Sequence, residues 1–252
     1  LNRADSLNAV NGQLHTDLAR LFSALRCEPD IGAVVITGSG RAFCAGGDIT
    51  WMRTSTAAEL DLMFAEARTI VFDLVEIAPP LIAAVNGPAV GFGATLALLC
   101  DVVIVEAGAF LCDPHVSVGV VAGDGGAAVW PSLIGVNRAK EYLMTGDRLT
   151  AQEAERIGLV NRVAADGESL AEAQSLARRL ADGPREAIAG TKRAVNQILR
   201  RDLESAFETS LVLERESMAS YEHREALEAF AEDRTPDFRS ARRVEEGGGR
   251  AH

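Results

Sequence analysis

Cysteine, aromatic residues and positive charge are all scarce in this chain of 252 residues. Its four cysteines, Cys27, Cys44, Cys100 and Cys112, stand far apart with no metal-ligand spacing. That argues against a disulfide scaffold or a cysteine metal centre and fits buried or free thiols in a reduced compartment. Lysine and arginine total 25 against 36 acids, a formal charge of −11. A nucleic-acid partner requires a basic face to neutralise phosphates, so that class is set aside. A small anionic ligand held by local arginines or backbone amides stays open. No apolar run reaches the ~20 residues that cross a bilayer, and no signal-peptide pattern is visible. These features predict a cytoplasmic protein with no membrane partner. The chain opens on Leu1 rather than Met, so residues are expected to precede it.

What is present is the composition of an ordinary globular protein, 48% hydrophobic and 24% charged, long enough for one large domain with a helical appendage. The first half alternates strand-like and helix-like segments. "SLNAVNGQLHTDLARLFSAL" carries Leu14, Leu18, Leu21, Phe22 and Leu25 at helical spacing behind an expected Ser6 cap. The same reading puts His15 on the charged, exposed side of that helix. "AVVITG" (33–38), "LIAAVNG" (81–87) and "DVVIVEA" (101–107) read as buried strands. A helix is expected from Ala57 to Glu76, stopped by Pro79-Pro80. A short helix is expected at "GATLALLC", and a fourth strand around "DPHVSVGV", interrupted by Pro114. "GLVNRVA" (158–164) is a last strand-like piece. From Asp166 the pattern is helical, in long amphipathic segments such as "PREAIAGTKRAVNQIL" and "DLESAFETSLVLERESM". The division is therefore an α/β body over 1–165 and a helical region over 166–252, whose apolar stripe predicts packing on a neighbouring subunit. "VEEGGGRAH" is expected to be disordered.

Two glycine-rich turns, "GSGRAFCAGGD" and "NGPAVGFGATLALL", each follow a buried strand. On composition they are either tight connections or backbone donors converging on one point, where they would stabilise an oxyanion. Neither matches a phosphate-loop or dinucleotide fingerprint.

Several blocks in the right order resemble the enoyl-CoA hydratase/isomerase (crotonase) family: "LNRADSLNAVN", "GSGRAFCAGGDI", "PPLIAAVNGPAVGFGATLALLCDVVIVEAGAFL", "GVVAGDGGAAVWPSLIGVNRAKEYLMTGDRLTAQEAERIGLVNRV" and "EALEAFAEDRTPDF". The resemblance implies a crotonase-like spiral of ββα units with a C-terminal helical trimerisation region, assembled as a homotrimer or a dimer of trimers. It implies an acyl-CoA substrate, no metal, and no cofactor beyond CoA as part of that substrate. By position, the amides of Gly47 and Phe92 would hold the thioester oxygen. Ala45, Asp48, Ile49, Trp51, Gly91 and Thr95 would contact the substrate, with Asp48 also read as a capping acid. The two glutamates that family hydratases use fall at Thr95 and His115, and threonine is neither acid nor base at neutral pH. His115 and Asp124 are left. On the residues alone they fit a structural pair or an acid/base pair; their family positions select the second. The implied reactions are hydration or isomerisation of an enoyl-CoA. The alternatives are hydrolytic carbon–carbon cleavage of a β-diketone by the His/Asp pair, or a silent CoA-binding member.

Overall fold

A computed structural model describes residues 1–240; the "VEEGGGRAH" segment lies outside the described residues. After a 3-10 turn (Ala4–Ser6), the chain runs α1 (Gly12–Leu25), β1 (Val34–Thr37), α2 (Ile49–Thr54), α3 (Ala57–Glu76), β2 (Leu81–Val85), β3 (Ala89–Val90) and α4 (Phe92–Leu98). It continues with β4 (Val102–Glu106), β5 (Phe110–Cys112), a 3-10 turn (His115–Val118), α5 (Gly126–Ile134), α6 (Val136–Thr145), β6 (Leu149–Thr150), α7 (Ala151–Arg156) and β7 (Arg162–Ala164). Helices α8 (Ser169–Ala181), α9 (Arg185–Met218) and α10 (Tyr221–Ala231) complete it.

Strands β1, β2, β4 and β7 form a parallel sheet in that order. All five residues of β2 are buried, as the uninterrupted apolar run "LIAAV" requires of a strand covered on both faces. A smaller layer runs β3-β5-β6, with β3 and β5 parallel and β6 antiparallel. Each turn of the chain places one strand in the large sheet, one segment in the small layer, then a helix. The pattern is β2/β3/α4 and β4/β5/α5, and β1 repeats it through the lone bridge of Cys44 to Ala89. This is the ββα spiral.

Local chemistry sets the helix starts. Asn11, not Ser6, caps α1, its side chain accepting from Leu14 N; Ser6 lies in the preceding 3-10 turn. Thr56 and Glu59 close a reciprocal capping box on α3. The segment expected as a fourth strand, 113–120, is not one: the strand β5 ends before it at Cys112, and Pro114 leads the chain into the 3-10 turn that carries His115.

The helical region is folded onto the body. Helix α8 covers the large sheet with Ala173 and Leu176 against Ile82, Ala84 and Ile104. The two amphipathic tail segments are one 34-residue helix, α9, which lies on α3 and α5. Its Leu203 and Phe207 are fully buried, worth ~1.5–3 kcal/mol each in apolar burial. Lys192 reaches back to Asp101 (2.6 Å) and Pro79 O (3.0 Å). Asp101 also accepts from Leu81 N and Glu106 from Ser169, so both acids serve the framework. Trp130 lies in the core. Among the described residues no helix is long and apolar enough to cross a membrane.

Candidate active site

The first glycine turn crosses the second. Gly46 has φ +85° and faces Val90 O so closely that a Cβ would stand 2.8 Å from it. A side chain would force the two turns apart. Val10 N donates to Gly46 O and Asp48 N to Val10 O, which leaves the intervening Gly47 N–H off the ladder. In the second turn, Gly91 N donates to Cys112 O and Val90 N to Cys44 O; Phe92 then begins α4, where a first-turn N–H has no helical acceptor. Neither the Gly47 nor the Phe92 amide has an acceptor among the described residues. Both residues line one cavity of about 180 Å³.

His115 lines the same cavity. Gly91, at φ +52°, has room for it: a Cβ there would meet the ring at 3.4 Å. Its Nδ1 is hydrogen-bonded to Asp113 Oδ1 and its Nε2 lies 3.4 Å from Asp124 Oδ2. Asp113 is fully buried, and its second oxygen has no partner; Gly126, the first residue of α5, leaves room for that oxygen, which a Cβ would meet at 2.1 Å. Burial by itself pushes the imidazole down, but the two carboxylates outweigh it and hold the ring well above the usual histidine value. Asp113, His115 and Asp124 bring ligand-type atoms within 4.8 Å of one another.

Thr95 is fully buried and reaches Asp124 Oδ1 at 3.4 Å, while Asp124 lines the cavity. Among the residues expected at the substrate, Ala45, Ile49 and Gly91 line the cavity; Asp48, Trp51 and Thr95 do not. Asp48 caps α2, accepting from Trp51 N at 3.2 Å, and pairs with Arg3 at 3.2 Å. Trp51 lies against Gly12 and lines a separate depression with Gln13 and Thr16.

The site holds groups that sequence reading missed. His15 is buried, not exposed: it lines the cavity, bonds Glu66 Oε2 at 3.0 Å and lies 5.4 Å from the Phe92 ring. Its spacing with Leu18, Ala19 and Phe22 on the buried face of α1 was the available signal. Burial pushes its imidazole down despite the pull of Glu66. Glu214 of α9 also lines the cavity, buried, with Oε2 unpartnered. Burial first, then the Asp124 charge, push this carboxyl well above the usual range, against the pull of His115. Helix α10 fixes the turn from behind, His223 Nδ1 meeting Val118 O at 2.7 Å. The thiols of Cys44 and Cys112 are pushed up to about 11, chiefly by burial, so neither is a nucleophile at neutral pH.

Comparisons with known proteins identify the family. The sequence model of the enoyl-CoA hydratase/isomerase family matches residues 1–241. A probable enoyl-CoA hydratase of Mycobacterium tuberculosis is 38% identical, the match covering 94% of this chain and 92% of that protein. The crotonyl-CoA hydratase of Syntrophomonas wolfei is 35% identical, over 94% and 92%. The crystal structure of an enoyl-CoA hydratase/isomerase from Mycobacterium paratuberculosis superposes with a TM-score of 0.87 at 42% identity, covering 90% of this chain and 91% of that one. The chain belongs to the enoyl-CoA hydratase/isomerase family and is an acyl-CoA enzyme of the crotonase fold.

Proposed function

We propose that the enzyme polarises an acyl-CoA thioester between the Gly47 and Phe92 amides, stabilises the resulting enolate, and moves the proton with the His115/Asp124 pair. The observation that carries this reading is the convergence of two unpartnered amides and an imidazole on one mainly apolar cavity. Each amide donor aimed at the developing oxyanion contributes ~3 kcal/mol in comparable sites. Asp113 holds the ring by Nδ1, fixing its orientation, and Asp124 faces Nε2. The two carboxylates push the ring upward, toward its charged form, which leaves Asp124, lining the cavity beside it, as the member of the pair to accept a proton. The hydratase names of the relatives support hydration of an enoyl-CoA as the leading reaction, with isomerisation as its close variant.

A second reading, hydrolytic cleavage of a β-diketone, is favoured by the same imidazole–carboxylate chain, which suits activation of water. Incubation with crotonyl-CoA, trans-3-hexenoyl-CoA and a cyclic β-diketone separates the two. Turnover of either thioester supports the first reading; diketone cleavage without thioester turnover replaces it. CoA binding with no turnover on all three favours a silent member. The assembly belongs to the proposal as well: exposed Val195, Ile198, Val212 and Leu213 of α9 and Phe230 of α10 supply apolar surface for a trimer or dimer of trimers, with the helical region beyond residue 165 as the oligomerisation part. Light scattering of the purified protein reads the mass directly.

A further inference from the structure

Hydration of an enoyl thioester needs two protons handled at two atoms: one leaves water, and one reaches the α-carbon. The His115/Asp124 pair accounts for one. Position 95 cannot account for the other, since Thr95 is un-ionisable, fully buried and off the cavity surface.

We propose that Glu214, from the helical region, is the second catalytic acid of this site and delivers the α-carbon proton; the inference rests on the acyl-CoA reading above. Glu214 is 5% exposed, lines the cavity and leaves Oε2 without a hydrogen-bond partner. A buried carboxyl oxygen left without a partner is costly, a cost that its position over a reactive cavity explains and a packing role does not. The main chain is shaped to admit it. At Gly123 a Cβ would stand 2.5 Å from Glu214 Cβ and 2.7 Å from Oε2, and at Gly125 one would stand 2.5 Å from Thr95 Cγ2. Asp124 thus sits between two glycines, with Thr95 against one and Glu214 against the other. Two hydroxyls of the same helix hold this contact: Ser210 donates to Gly123 O at 3.1 Å, and Ser217 accepts from Val121 N at 3.0 Å. Burial, then the Asp124 charge, push this carboxyl upward, toward the protonated form an acid needs.

The step balances. The water oxygen bonds the β-carbon and its proton passes to Asp124. The π pair moves onto the thioester oxygen held by the two amides. As the enolate collapses, the α-carbon takes the proton of Glu214, and the proton on Asp124 then returns to the Glu214 carboxylate through solvent.

Glu214→Gln keeps the size and the hydrogen-bond donor but carries no transferable proton. On crotonyl-CoA its kcat is expected to fall about 100-fold or more with KM within about three-fold. The absorption shift of bound 2,4-hexadienoyl-CoA, which reads the grip of the two amides, is expected to persist, and this retained shift shows that the variant is folded. Glu214→Asp is expected to recover part of the loss. A kcat for Glu214→Gln within ten-fold of wild type overturns the proposal. So does loss of the absorption shift in that variant, or an Asp variant no faster than the Gln variant. A wild-type protein that shifts no dienoyl-CoA spectrum and turns over no thioester removes the acyl-CoA reading, and the inference with it. That result is distinct from an active wild type indifferent to position 214.

Discussion

His15 and His115 line the same cavity and each bonds a carboxylate through Nδ1, yet they are pushed in opposite directions. Both lose hydration on burial, which favours the neutral ring. His15 bonds one carboxylate, Glu66, whose other oxygen is shared with Thr16 at 2.8 Å; Asp124 adds only a weaker pull, and burial wins. His115 has a carboxylate at each nitrogen, and the second, Asp124, reverses the balance. The number of carboxylates placed at the ring nitrogens sets the direction. One histidine is built as a neutral wall beside Phe92, the other as a charged participant.

Three substitutions test that contrast, in descending effect. His115→Gln leaves Asp124 without the imidazole that faces it and is expected to lower kcat on crotonyl-CoA by about 10²–10³-fold, the range of a lost electrostatic partner, in steady-state assays. A loss below ten-fold makes the two histidines equivalent and breaks the comparison. Asp113→Asn removes one of the two anions, so the His115 midpoint is expected to drop toward the ordinary ~6.5 in an NMR titration of the ring protons, while that of His15 stays put. His15→Phe is expected to change kcat by no more than about three-fold, since its ring serves as packing; a larger loss in the same assay gives His15 a part in the chemistry.

The stability signs differ too. The folded value of His115 lies above the unfolded ~6.5, so its contribution is fully present below that pH and is lost as pH rises through the folded value. His15 is depressed, so the unfolded chain binds its proton first. Its contribution is present above ~6.5 and is lost as pH falls toward the folded value. Thermal unfolding of His15→Phe at pH 7 and pH 5 is therefore expected to show less acid loss than wild type. An equal loss contradicts the assignment.

The four strands of the large sheet and the α3 limits were legible because β-branched runs and the Pro79-Pro80 stop are local signals; the short strands β3, β5 and β6 were not. The 3-10 turn at His115 was not, because Pro114 after the buried β5 reads equally as a strand interruption. His115, Asp124, Gly47 and Phe92 were legible as positions through the family blocks, and the structure brings all four to one cavity. Asp113 stood two residues from His115 in plain view, but only the turn geometry bends it back onto Nδ1. Glu214 lies deepest from sight. Leu203, Phe207, Ser210 and Glu214 form the buried face of α9, and an acid on that stripe is a signal easily lost in a helix rich in exposed glutamates. His15 was misplaced because α1 begins at Gly12 rather than near Ser6, and its buried face was read from the leucines alone.

The central claim is the shared grip of Gly47 and Phe92 on one oxygen. A crystal structure with acetoacetyl-CoA bound tests it directly. The thioester oxygen is expected within about 3 Å of both amide nitrogens, with the acyl carbons facing His115 and Asp124. A thioester oxygen bonded to neither amide, or an acyl chain seated outside this cavity, contradicts the account.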